Sequence, residues 1–398
     1  MKNYLIKFAA DAGAPQSAAQ QRVQEAVAAQ PRGAENRRKL ASASYAANTN
    51  VVVDIPRDTS VKRMILSLNG YFTVTFGSGS PTLSPFGVFA RICPNFYVVA
   101  DGSRNIKVLD LFMQRCANAE TYGSFPRRAY AKGASLQGVN SIPSTEWLAG
   151  TIAYPSTTQD IVINEQVVID FENPDAWQNK DISQLYTRNL QTCNMTFGFG
   201  AIENVQTTGV GATVTYSNIS LTVVPTIIEN REGTLAQGAF DYNEFVIRRS
   251  YSSQQTNAQI LLNASNKIVG IALMAQNGDT NLSLADQVLT EINLLTNGIL
   301  PQQGTRFRDL SNDNKLRKGI SDDQYASSLR GLTGFARMNL LKNGDALSGL
   351  DTALSNGVST VELHVSTGPS SGLDAVTYTS PISISVLQQQ MVPVPVKS

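Results

Sequence analysis

The single histidine of this chain, His364, lies in "VELHVST", where period-two alternation turns it away from Val361, Leu363 and Val365. A Ser-His-Asp relay could draw only on this one imidazole, and no nucleophile elbow accompanies it. It reads as a solvated or hydrogen-bonded strand histidine. Cys93, Cys116 and Cys193 are too few and too scattered for a disulfide framework or metal cluster, and read as buried thiols in a reducing cytoplasm. "GVGATV" (209–214) imitates the start of a dinucleotide fingerprint, but it lacks the third glycine and precedes a strand, so a turn is expected there. "DLSNDNKLRKGISDD" offers Asp309, Asn312, Asp313, Asp322 and Asp323 as oxygen donors without the spacing of a calcium loop. Two carboxylates from separate strands could still serve glycoside hydrolysis. Trp147 and Trp177, the only tryptophans, are a thin supply of aromatic platforms for a sugar. No catalytic residues, cofactor or metal are assigned, and the inventory points away from an enzyme.

The elements that would carry these residues are mostly strands. Hydrophobic residues make up 42% of the chain and charged residues only 16%, so Ser, Thr, Asn and Gln fill many polar positions. A formal charge of +1 argues against specific nucleic-acid binding. The charge is uneven, however. Lys2, Lys7, Arg22, Arg32, Arg37, Arg38 and Lys39 face only Asp11, Glu25 and Glu35 in the first forty residues, which makes a basic arm on a mildly acidic body. "MKNYLIKFAADAGA" has an apolar run too short, and too interrupted by Lys7, for a signal peptide. No stretch reaches transmembrane length, so a soluble protein made in a cytoplasm is expected.

In "VKRMILSLNGYFTVTF", Met64, Leu66, Leu68, Gly70, Phe72, Val74 and Phe76 share one face, which predicts a long half-buried strand. "NFYVVADGSRNIKVLDLFM" reads as two strands around a tight turn at Asp101-Gly102. "QDIVINEQVVIDF", "CNMTFGFGAIENV" and "ATVTYSNISLTVV" read as further strands, the last with Ile219, Leu221 and Val223 on one face and an end at Pro225. "NKDISQLYTRNLQ" reads as the one clear helix of this half, with Asp181 as N-cap. In the second half "EFVIRRSYSSQQTNAQILL", "KIVGIALMAQNGD" with its closing Asn-Gly turn, "STVELHVST" and "SPISISVLQQQ" read as strands. "SLADQVLTEINLLTNG" predicts a helix ending at Gly298. The charged stretch 305–331 reads as a loop or short helices. "QQQMVPVPVKS" is too rich in proline for a central strand and reads as an extended contact arm.

The expected layout is a basic helical arm (1–45), a first jelly roll (46–228), a linker (229–238), a second jelly roll (239–390) and an extended tail (391–398). The fold class is mainly β, two consecutive eight-stranded jelly-roll sandwiches with short helical insertions. In the arm, "SAAQQRVQEAVAA" puts Ala19, Val23, Ala26 and Val27 on a helical stripe that buries little, so the helix should order only when docked. "KNYLIKF" puts Tyr4, Ile6 and Phe8 on one side of a strand, or offers an aromatic-basic surface to lipid headgroups.

The order of these segments resembles the double-jelly-roll major capsid proteins of tailless icosahedral viruses, above all tectivirus-like phages with an internal membrane. The resemblance rests on the Gln- and Ala-rich arm, "NVVVDIP", "KRMILSLNGYFTVTF", "SPFGVFARI" and "FYVVADGSRNIKVLDLFM". It continues through "QVVIDF", "DISQLYTRNLQ", "TFGFGAIENV" and "VTYSNISLTVVP", and more loosely through the second half. It implies upright rolls, a homotrimer with pseudo-sixfold shape, and neighbouring capsomers and vertex or minor capsid proteins as partners. A virion location and an underlying lipid membrane are implied as well. Lys2, Tyr4, Lys7, Phe8, Arg22, Arg37, Arg38 and Lys39 are the candidate contacts of the arm to neighbours or headgroups. The alternative is a carbohydrate-binding or carbohydrate-active β-sandwich, such as a phage receptor-binding component.

Overall fold

The alternation of residues 62–76 is realised as one 17-residue strand in the computed structural model of the chain. The structure describes residues 35–77, 82–83, 88–122, 129–131, 152–153, 158–208, 213–230, 239–277, 288–317, 334–368 and 381–394. The first half begins with β1 (Glu35–Lys39), β2 (Ala43–Ser44), β3 (Asn50–Asp54), β4 (Ser60–Phe76) and β5 (Thr82–Leu83). Helix α1 (Val88–Ile92), β6 (Asn95–Ala100), β7 (Arg104–Asp110) and helix α2 (Leu111–Tyr122) follow. Then come β8 (Ala129–Ala131), β9 (Ile152–Ala153), β10 (Thr158–Asp170), β11 (Leu185–Tyr186), β12 (Cys193–Gly198), β13 (Gln206–Thr208) and β14 (Val214–Asn230). The second half contains β15 (Phe240–Tyr251), β16 (Ala258–Leu261), β17 (Lys267–Asn277), β18 (Leu289–Thr296) and β19 (Ile299–Arg306). It ends with helix α3 (Phe307–Arg317), β20 (Phe335–Asn339), β21 (Leu350–Asp351), β22 (Val361–Thr367) and β23 (Ile382–Pro393).

Two sandwiches share one long sheet. The nine-stranded sheet runs β20-β17-β23-β15-β7-β6-β12-β3, with β21 beside β17, so it passes from the second half into the first. The sheet β1-β14-β4-β10-β8 closes the first half, and β16-β22-β18-β19 closes the second. Met64, Leu66, Leu68, Phe72 and Val74 of β4 join Phe96, Val98, Met195 and Phe197 in the first core. Ile271, Leu273, Ile384 and Val386 join Ile260, Ile292, Leu294, Leu363 and Val365 in the second. The unbroken apolar run of β17 has a direct cause. Ile271 and Leu273 enter the second core while Ala272 and Met274, on the opposite face, enter the first.

Several elements differ from the sequence reading, each for a local reason. "VLTEINLLTNG" is no helix: it is β18 and the turn into β19, with Asn297 at φ 51° and Gly298 at φ 75° as hairpin residues, while 283–287 lie outside the described residues. A bulge between Leu289 and Glu291 breaks strict alternation, leaving Val288, Leu289 and Ile292 buried at a spacing that mimics a helix. The expected helix after Asn179 is a single 3-10 turn, Lys180–Ser183, and its N-cap position is Asn179 at φ 56°, not Asp181. Beyond it the Thr187 N–H and hydroxyl both donate to the Thr59 carbonyl, which holds the chain extended against β4. Helix α2 replaces the expected continuation of a strand through "LFM". Asp110 accepts from the Phe112 and Met113 amides at 2.7 and 3.2 Å and so caps it.

The element ends shift as well. Residues 35–44, expected in the arm, pair with β14, and β14 runs past Pro225 into the expected linker. Pro225 sits where the outer neighbour of β14 changes from β1 to β2. Its carbonyl accepts from Leu40 on that side, so its missing N–H costs no bond to β4. "QQQMVP" is central β23, not a contact arm. Gln388 and Gln390 both donate to the Asn263 carbonyl, and Gln388 accepts from the Asn263 amide. The Asn-Gly turn after β17 and the helical stripe of the arm lie outside the described residues.

A second bulge, between Ser217 and Ser220, turns Ile219 outward, away from the face that buries Leu221 and Val223. There β14 crosses so close to β4 that a Cβ on Gly70, at φ 136°, would lie 1.9 Å from the Ser220 carbonyl oxygen. Gly70→Ala is therefore expected to destabilise the fold by about 2 kcal/mol or more, read from the urea midpoint.

Candidate assembly surfaces and the seam between the halves

Among the described residues, strands of the two halves register at two pairs, Glu244 with Lys107 and Phe245 with Val108 in parallel β15 and β7, and an isolated bridge joins Gln178 to Asp345. Side chains supply the rest. Lys107, fully buried, donates to Glu244 at 2.8 Å and lies 4.2 Å from the Tyr242 ring centre and 5.4 Å from that of Phe171. Gln389 donates to the other Glu244 oxygen at 2.9 Å and accepts from Arg337 at 2.7 Å. Arg337 also pairs with Asp175 at 2.6 Å and Glu120 at 3.3 Å, both from the first half. Burial opposes the charge on Arg337, but Asp175, Tyr242, Glu120 and Glu244 together hold its pKa above the ordinary range. For Lys107, burial outweighs Glu244 and lowers it.

A strap from the first half reinforces this seam. The Trp177 and Gln178 amides donate to the Gly344 carbonyl, the Ala346 amide to Gln178, and the Asn179 side chain to Asp345. Trp177 leaves 71% of its surface exposed, with its ring lying over Gly344. At the strap's root Gln184 donates to the buried Glu172 carboxylate at 2.5 Å.

The outer face of β4, β10 and β14 is a continuous surface made by three long strands. Row by row it carries Ile65, Val168 and Thr226, then Ser67, Gln166 and Val224, then Asn69, Asn164 and Thr222, then Tyr71, Val162 and Ser220. All of these are half-buried or exposed, and none is charged. Charge begins at the rim, with Arg37 and Lys39 on β1 and Asp160 at the far end of β10. Solvent-facing sheet positions ordinarily recruit Lys and Glu, so a charge-free patch of this kind has the composition of an interface centre.

The residues expected to contact partners divide sharply. Lys2, Tyr4, Lys7, Phe8 and Arg22 lie outside the described residues, as does Trp147. Arg37, Arg38 and Lys39 stand in β1 and not on an arm helix. Arg37 and Lys39 are exposed, but Arg38 is committed within the fold to Glu229 and Asp58, each at 2.9 Å. His364 bonds to Glu362 at 2.8 Å, as a strand histidine should. The three cysteines are buried free thiols, and burial pushes Cys116 and Cys193 up to about 12, far from a reactive range. Asp309, Asn312 and Asp313 sit on α3, where Asp313 pairs with Arg317, while Asp322 and Asp323 lie outside the described residues. Among the described residues no group of His, Cys, Asp or Glu could hold a metal, and no helix is long and apolar enough to cross a membrane. The seam escaped sequence reading because its partners are far apart in the chain. The pairing of "QQQ" with lone internal charges on apolar strands, Lys107 and Arg337, was the available signal.

Two sandwiches fused through a shared sheet define the double jelly roll, and solved structures of that class match over nine-tenths of the chain. The STIV MCP shares 14% identity and a TM-score of 0.61, with 91% of this chain and 97% of that one covered. An atomic structure of Sulfolobus Turreted Icosahedral Virus gives 13%, 0.59, and 91% of both chains. The Faustovirus major capsid protein gives 8%, 0.52, and 92% of both chains. The fold is that of double-jelly-roll major capsid proteins of icosahedral viruses. No family model and no curated protein matches the sequence.

Two outcomes follow from the seam and its strap. Arg337→Met should cost about 3–5 kcal/mol in urea unfolding, because it strands the Asp175 and Glu120 carboxylates in a buried site. Burial also pushes Glu172 from 4.5 up to about 7 and Asp241 from 3.8 up to about 6. The folded chain keeps protons there that the unfolded chain has released, so their stabilising effect is complete at low pH. It is lost as pH rises through about 6 for Asp241 and about 7 for Glu172. The melting temperature should therefore fall between pH 5 and pH 7.5 by this route, and Glu172→Gln should flatten the decline in calorimetry.

Proposed function

We propose that this chain is a major capsid protein, a non-enzymatic structural subunit of an icosahedral virion shell, working as a homotrimer. The observation that carries the reading is the double jelly roll itself, matched across nearly the whole length of capsid subunits. Two similar β-sandwiches per chain, three chains together, make six lobes that tile a near-hexagonal lattice. The uncharged face of β4, β10 and β14 supports self-association, since copies can approach there without repulsion or the desolvation of charge.

The arm is the finer part of the proposal. Lys2, Tyr4, Lys7, Phe8 and Arg22 would contact neighbouring capsomers or an internal membrane, with exposed Arg37 and Lys39 at its root. Vertex and minor capsid proteins are the further partners of such a shell.

Light scattering of the purified chain should give about three times 42.9 kDa, and negative-stain images should show six-lobed particles. A stable monomer at micromolar concentration would sink the reading. Ser67→Lys combined with Thr222→Lys should shift the oligomer toward monomer without lowering the melting temperature. Because β1 is part of the sheet, an arm deletion should stop at residue 34; it should keep the oligomer and lose assembly or binding to anionic vesicles.

A further inference from the structure

The two halves repeat one local plan that has no trace in residue identity apart from two positions. In the first, β6 turns at Asp101-Gly102 into β7, which runs into α2, and β10 comes next among the long strands. In the second, β18 turns at Asn297-Gly298 into β19, which runs into α3, followed by β20. The turn residues share their conformation, with φ of 51° and 73° in one and 51° and 75° in the other. In each half the helix starts nine positions after the turn glycine and an asparagine stands sixteen after it, Asn118 and Asn314.

Those two asparagines do the same thing. Asn118 accepts from the Val168 amide at 2.8 Å and donates to the Val168 carbonyl at 2.9 Å, and Gln114 adds a bond to that carbonyl at 3.1 Å. Asn314 accepts from the Arg337 amide at 2.7 Å and donates to the Arg337 carbonyl at 3.0 Å. Both are buried, at 6% and 9% exposure. Val168 lies on β10 opposite Ile65 of β4, and Arg337 on β20 opposite Ala272 of β17. Their polar backbone groups point away from those neighbours, toward the open side of the sheet. Among the described residues β8 covers that side of β10 only at 161–163, and β20 ends the nine-stranded sheet. A primary amide carries one acceptor and one donor in the arrangement of a peptide group, so each asparagine makes the bond pair that an added strand would make.

The geometry points to Asn118 and Asn314 as paired edge seals that stop a strand of another copy from adding to either sheet. Exposed edges invite such pairing, and it would be most damaging in a protein that must meet many copies of itself in defined contacts. At the opposite ends of these two sheets the edges carry different guards. β1 presents exposed Glu35, Arg37 and Lys39, and β3 is five residues long and closed by Asp54 and Pro56. Where these edges are shut, contacts between copies are left to faces and loops.

Asn118→Ala and Asn314→Ala in the full-length chain test this directly, with Asn118→Asp and Asn314→Asp as controls that still accept from the strand amide, lose the bond to its carbonyl and leave a charge at the edge. Hydrogen exchange should be roughly tenfold faster at the Val168 or Arg337 amide in the matching Ala variants. The Ala variants should then form concentration-dependent, cross-β-dye-positive species above the wild-type mass in light scattering, and the Asp variants should not. Ala variants with freed amides that remain as monodisperse as wild type would overturn the inference. If the Ala variants are recovered only as aggregate, the Asp pair decides. Soluble Asp protein supports the seal, whereas equal insolubility assigns the asparagines to stability alone.

Discussion

Arg337 donates to Gln389, Gln389 donates to Glu244, and Glu244 accepts from Lys107, so one chain of side-chain bonds crosses the shared sheet from β20 to β7. The whole architecture turns on it. The strand contact between the halves registers only two residue pairs, too little to set the angle between two sandwiches. Charged groups buried at such a junction tolerate very few arrangements, because any displacement leaves an ion without a partner in a medium of low polarity. A purely apolar junction of the same area would adhere but would permit sliding.

The surfaces around this junction divide the remaining work. The strap of residues 173–184 locks the loops at one end, through Asp175 and Asn179. Strands β4, β10 and β14 put one face in the core and leave the other uncharged, while edges of the two large sheets are capped by asparagine amides or by exposed charge. Faces open and edges closed is a sensible division for a protein made in large numbers. Face contacts select shape and register, whereas strand addition at an edge would accept almost any extended segment.

Much of this was legible from residue order. Strict alternation in β4 and in Val361, Leu363 and Val365 of β22 named its own buried faces, and Asp101-Gly102 named its turn. Other elements were misread where tertiary contacts supply the cause. The bulge in β18 converts alternation into helix-like spacing, and α2 shows no amphipathic stripe because Leu111 to Glu120 are all buried, Arg115 and Glu120 included. "QQQMVP" reads as polar and proline-limited until Asn263 and Arg337 satisfy its amides.

What the sequence determined by itself was the mainly β class and the order of segments that resembles a double jelly roll. Those properties live in local periodicity and residue type, which act over a few positions. The tertiary structure alone decided that Arg38 turns inward to Glu229, that Asn118 and Asn314 seal edges, and that Lys107 meets Glu244. The reason is physical: each depends on partners from 23 to 191 positions apart, and only the folded sheets bring their distances within a hydrogen bond.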